Sequence, residues 1–120
     1  SEDFFFSTLQ DYFRQLYDAK EDIASTALVD EVLRCYPKNI YFLNDKGALL
    51  ASQGKTEEAL KVFLQLHELA PNDDIVTSNV AYLYKETGNK KQALTFYKKL
   101  LKSENDELRA VAKHELGIKD

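Results

Sequence analysis

The chain has 120 residues, 44% hydrophobic and 30% charged, with a formal net charge of −4. Those proportions belong to one water-soluble globular domain and exclude disordered and collagen-like chains. Its 4 Gly and 2 Pro, against roughly fourteen at average usage, leave too few tight corners for a sandwich, barrel or propeller, so long helices joined by brief turns are expected.

In chain order, the apolar spacing predicts seven helices, near Glu2–Tyr17, Glu21–Cys35, Ile40–Gln53, Glu57–Ala70, Asp74–Thr87, Lys91–Lys102 and Asp106–Leu116. Phe4, Phe5 and Phe6 are expected as core for the first helix pair. Cys35, the only cysteine, permits no intramolecular disulfide and no thiolate metal cluster, and is expected to pack as a small apolar residue. The third helix ends at Gly54, which can take the left-handed conformation common at helix C-termini. In the fourth, Ala59, Leu60, Phe63, Leu66, Leu69 and Ala70 recur at steps of three and four as one apolar stripe. Thr56 stands where a hydroxyl could cap its first turn, Glu57 and Glu58 favour the positive helix start, and Pro71 prevents continuation past Ala70. The seventh is half apolar through Leu108, Val111, Ala112 and Leu116, as expected of a cap over the end of a stack.

A repeat runs through these elements. Pro37 and Pro71 are 34 residues apart, as are Gly54 and Gly88. The same shift superimposes Ala59 on Ala93, Leu60 on Leu94, Phe63 on Tyr97, Leu66 on Leu100 and Leu50 on Tyr84. Extended backwards, it places Leu16 on Leu50, Ser25 on Ala59, Val29 on Phe63 and Val32 on Leu66. One domain over 1–120 is therefore expected to contain units at about 6–39, 40–73 and 74–107, with a capping helix over 106–117.

A 34-residue helix–turn–helix unit resembles the tetratricopeptide repeat. The middle unit carries the resemblance in Leu43, Gly47, Leu50, Gly54, Ala59, Phe63 and Pro71, and the third in Thr77, Ala81, Tyr84, Gly88, Ala93, Tyr97 and Asn105. Short side chains at Gly47 and Ala81 let paired helices cross closely. The first unit is degenerate, with Phe13 at that place, so its helices are expected to be more widely spaced or shifted. Lys46 occupies a position usually held by Leu and is expected to snorkel. The resemblance implies an all-α fold, a right-handed superhelical array of antiparallel helix pairs.

It also implies a non-catalytic role, binding a peptide or partner protein in a concave groove lined by the first helix of each unit. By family register that groove includes Tyr17, Tyr41, Asn44, Ala48, Ile75, Asn79, Tyr82, Arg109 and Lys113, with Arg14 beside them. Tyr offers area and a hydroxyl, Asn can pair with a peptide backbone, and Arg can hold a carboxylate bidentately. Some members clamp a C-terminal carboxylate, and Asn79, Arg109 and Lys113 match three of the five clamp places, whereas Asn44 and Ala48 replace the other two. An acidic or carboxylate-ended segment is therefore one expected ligand.

Other chemistry finds less support. His67 and His114 lie in different units, so neither a metal site nor a cofactor is expected. Cys35 has no local signature of a nucleophile, and no glycine-rich phosphate loop is present. Asp73–Asp74 and Glu57–Glu58 are explained by helix starts, and Lys98, Lys99 and Lys102 by a helix end. The acidic balance argues against nucleic acid. No apolar run approaches the roughly twenty residues that cross a membrane. The lack of any Met, with Ser1 first, reads as a processed product or excised fragment, and the compartment is undetermined. Charge is polarised, −5 over 1–36 (3 basic, 8 acidic) and +3 over 81–120 (9 basic, 6 acidic). Head-to-tail self-assembly through those ends is the alternative reading.

Overall fold

The computed structural model describes residues 2–119, so the two ends of the expected domain, Ser1 and Asp120, lie outside the described residues. Among these residues it forms seven α-helices: α1 (Glu2–Asp18), α2 (Asp22–Cys35), α3 (Ile40–Ser52), α4 (Thr56–Leu69), α5 (Asp74–Glu86), α6 (Lys90–Lys99) and α7 (Asp106–Leu116). A 3-10 turn, Leu100–Lys102, follows α6 directly. The helices pair in chain order as α1–α2, α3–α4 and α5–α6, and α7 packs on the last pair. The array measures 44 × 30 × 24 Å.

Local chemistry sets the ends of the helices. Asn39 accepts from the Phe42 N–H (3.0 Å), Asp73 from Ile75 and Val76 (3.0 and 3.2 Å), and Asn105 from Glu107 and Leu108 (3.0 and 3.2 Å). These side chains satisfy donors that would otherwise be orphaned at the starts of α3, α5 and α7. Thr56 does not serve as the expected cap. It is the first residue inside α4, and its hydroxyl reaches back to the Gly54 carbonyl at 3.5 Å. Gly54 (φ 76°) and Gly88 (φ 84°) take the left-handed conformation after α3 and α5. Lys20 takes it after α1 at φ 58°, without glycine's freedom.

The core is built between neighbours in the stack. Phe13, Val29, Val32, Phe42 and Leu49 fill the space among α1, α2 and α3. Leu43, Ala59, Phe63, Leu66, Val76, Val80 and Leu83 do so among α3, α4 and α5, and Ala81, Ala93, Tyr97, Leu100 and Ala112 among α5, α6, the 3-10 turn and α7. A Cβ built on Gly47 would lie 2.5 Å from Cε2 of Phe63, so only hydrogen fits where α3 crosses α4. In the first pair Phe13 holds that place, and the α1–α2 contact is the sparsest of the three pairs.

Three packing expectations change. Of the Phe4–Phe5–Phe6 run, only Phe6 turns inward, its ring 5.0 Å from that of Tyr36 and 6.5 Å from that of Phe42, while Phe4 is 74% exposed. Consecutive helical residues point about 100° apart, so three in a row cannot share one core. Cys35 is exposed rather than packed, because it ends α2 beside a surface depression lined by Phe6, Tyr36 and Pro37. Lys46 does more than snorkel: its ammonium pairs with the Asp30 carboxylate on α2.

Candidate functional site

Three depressions with Gln10 as a common border lie along the first helices of the pairs, two between α1 and α3 and one reaching α5, and together make up a trough. One, about 460 Å³, is lined by Asp3, Phe6, Ser7, Gln10, Asp11, Arg14 and Tyr41. A second, about 290 Å³, lies among Gln10, Phe13, Arg14, Tyr17, Asp18, Asp45 and Ala48. The third, about 250 Å³, separates α3 from α5 and is lined by Gln10, Tyr41, Asn44, Asp73 and Ile75 among others. Gln10 borders all three, and its amide donates to the Asp45 carboxylate across the α1–α3 seam.

Of the residues expected on a groove, Tyr17, Tyr41, Asn44, Ala48, Ile75 and Arg14 border this trough. Tyr41 is 61% and Ile75 60% exposed, large apolar surface open to solvent. Tyr82 is 54% exposed farther along α5, and Asn79 is half-buried on the same helix. Neither borders the three depressions, nor do Arg109 and Lys113 of α7. Arg109 donates from Nη1 to the Ser103 carbonyl (2.6 Å) and pairs through Nη2 with Asp106 (2.7 Å). Ser103 also donates to the Asp74 carboxylate at 2.6 Å, so this guanidinium helps tie α7 to the start of α5. Lys113 is half-buried.

Electrostatics single out Asp45. Burial in the depression it shares with Phe13 and Ala48 pushes its carboxyl up to about 6, with the Gln10 hydrogen bond and the Arg14 charge opposing that rise. Gln10, Asp18 and Asp45 are absent from the groove expected on sequence grounds. A signal for Asp45 was available, since steps of 34 residues from Lys113 and Asn79 land on Asp45 and then Asp11. Gln10 stands in the same relation to Asn44.

Elsewhere, His67 on α4 meets the ring of Phe96 on α6 edge-on at 5.2 Å, and Lys99 lies 4.9 Å above that ring. Burial, and secondarily the Lys99 charge, lower the His67 pKa, and its buried Nδ1 has no hydrogen-bond partner among the described residues. Cys35, at the end of α2, shares no cavity with it among those described. Among the described residues no group of three or more His, Cys, Asp or Glu is placed to hold a metal ion. No helix among them is long and apolar enough to cross a membrane.

Comparison with known proteins gives a consistent picture. Residues 50–113 match a family model described as tetratricopeptide repeat, and residues 28–61 match a second of the same description. Among solved structures, the N-terminal domain of stress-induced protein-1 from C. elegans is similar with a TM-score of 0.74 at 17% identity, covering 91% of this chain and 92% of that one. The Sgt2 TPR domain from Aspergillus fumigatus is similar with a TM-score of 0.74 at 17% identity, over 92% of this chain and 78% of that one. MamA AMB-1 is similar with a TM-score of 0.65 at 24% identity, over 72% of this chain. The chain spans somewhat more than half the length of the MamA chains it matches, 51%, 55% and 59%. At these identities the likeness is one of fold.

Proposed function

Because the chain belongs to the tetratricopeptide repeat family, whose members are protein-interaction modules, we propose that the face built from α1, α3, α5 and α7 holds a peptide or partner segment. In this reading the units fall at about 6–39, 40–73 and 74–107, and α7 closes the last. The observation that carries it is the set of large exposed side chains on these first helices, Tyr41 and Ile75 bordering the trough and Tyr82 farther along α5. Monomeric proteins keep such apolar surface for partners, and aromatic anchors supply most binding energy where they become desolvated. We read the module as non-catalytic. The trough combines carboxylates, amides and one guanidinium, while the thiol of Cys35 and the imidazole of His67 lie outside it.

Tyr41→Ala and Tyr82→Ala test the groove. Each is expected to weaken capture of a native partner by about tenfold or more, as for truncated interface anchors, without lowering the melting temperature by more than about 2 °C, because both rings are exposed. Affinity capture from the native host followed by anisotropy with the captured segment measures this. Unchanged affinity in both variants would remove the groove from the mechanism.

A further inference from the structure

Resting on that groove reading, we propose that the α1–α3 end of the trough receives a cationic segment of a partner protein, with Lys or Arg side chains among Asp11, Asp18 and Asp45 and apolar side chains on Tyr41 and Ile75.

Acidic side chains dominate the charges that line the three depressions. They are the carboxylates of Asp3, Asp11, Asp18, Asp45 and Asp73 against the single guanidinium of Arg14. Asp73 is committed to capping α5. Arg14 lies 3.6 Å from Asp11, an exposed pair in which it offsets one acid of the remaining four. An anionic segment would therefore enter a field of its own sign, and a cationic one would be drawn in and held in register.

Asp45 is also short of hydrogen-bond donors. A carboxylate can accept about four hydrogen bonds, and the structure supplies one donor, Gln10. Half-buried in the depression that Phe13 and Ala48 also line, its charge has lost water that Gln10 and the Arg14 charge replace only in part, as its raised pKa records. An incoming ammonium or guanidinium would supply both the missing donors and the opposite charge. The occupant must also carry apolar side chains, because Tyr41 and Ile75 border the adjoining depression. Along the face, positions 11, 45, 79 and 113 read Asp, Asp, Asn, Lys, so its sign changes from α1 to α7 and would orient a charged segment.

Fluorescence anisotropy with two labelled dodecapeptides tests this, one alternating leucine with arginine and one alternating leucine with glutamine. The whole chain is compared with an Asp18→Asn/Asp45→Asn variant and with Glu57→Gln/Glu58→Gln, which removes the same charge from the exposed start of α4. Circular dichroism verifies that each variant folds. The arginine peptide is expected to bind the unaltered chain about tenfold more tightly than the glutamine peptide. The trough variant should lose that preference and the α4 variant should keep it. Equal affinity for both peptides, no measurable binding of the arginine peptide, or equal losses in the two variants would overturn the proposal. If the glutamine peptide binds as well and Tyr41→Ala weakens it, the groove reading stands and the cationic preference falls. Concentration-dependent sedimentation of the chain alone, abolished by the trough variant, would assign the site to a second copy and also overturn it.

Discussion

Asp45 shows how one side chain can carry a thermodynamic signature of its place in the fold. Its folded pKa is about 6 against an ordinary 3.8, because burial disfavours the charged form more than Gln10 and Arg14 favour it. With the folded value raised, the native state holds the proton more tightly than the unfolded chain. Its contribution to stability is therefore full below about pH 3.8 and is lost as pH rises through about 6. Asp45→Asn should accordingly be more stable than the unaltered chain at neutral pH and lose that advantage near pH 4, as measured by urea unfolding at the two pH values. An advantage equal at both pH values would refute a buried-charge origin. His67 works in the opposite sense. Its pKa is lowered, so its contribution is present above about 6.5 and lost as pH falls. Taking the difference between variant and unaltered chain at each pH isolates Asp45 from that background.

At the scale of an element, the turn after each first helix needs a left-handed residue. Gly54 and Gly88 provide it, and Lys20, which the same 34-residue step places in line with them, adopts it at φ 58°. For an L residue with a side chain that conformation costs about 1–2 kcal/mol. Glycine there loses more chain entropy on folding, about 0.5–1 kcal/mol, which offsets part of the relief. Lys20→Gly is therefore expected to raise stability by about 0.5–1 kcal/mol, seen as a higher urea midpoint with an unchanged slope. A lower midpoint would show that the Lys20 side chain contributes more than its backbone strain removes. The last pair departs from the 34-residue step in another way. Asp73 follows Asn39 by 34 residues, but Asn105 follows Asp73 by 32. The tight Leu100–Lys102 turn and the Ser103 hydroxyl, which donates to Asp74 and accepts from the Asn105 N–H, accompany this shorter step.

Across the whole molecule, stability is assembled from contacts between neighbours, so it need not be uniform. Helix α5 buries Val76, Thr77, Val80, Ala81 and Leu83 between two neighbouring pairs, whereas α1 buries Phe13 alone and touches α2 sparsely. Amide hydrogen exchange is therefore expected to be faster through α1 than through α3–α5 under conditions where the chain is folded. Equal protection in α1 and α5 would mean that the array opens as a single unit. The matter bears on function, because α1 supplies one wall of the trough. A partner that binds there should slow exchange in α1 most, since ligand binding adds to the local opening free energy.

Helix positions were legible in the sequence because they depend on local chemistry: the 3.6-residue period, Pro37 and Pro71 after helices, and Gly54 and Gly88 between them. The 34-residue step likewise revealed the helix-crossing role of Gly47 and put Tyr17, Tyr41, Asn44 and Ile75 on the face where the trough lies. What the sequence left open concerned surroundings. Gln10 and Asp45 are 35 residues apart and meet only when α1 packs beside α3. Arg109 looked available for a ligand, yet its guanidinium reaches Ser103 and Asp106. Cys35 and Phe4 have apolar character but face outward. By itself, then, the sequence determined an all-helical repeat and its register, which follow from the order of neighbouring residues along the chain. Only the tertiary structure decided which charges meet in the trough and which side chains remain exposed, because burial and electrostatic fields sum over atoms brought together from distant helices.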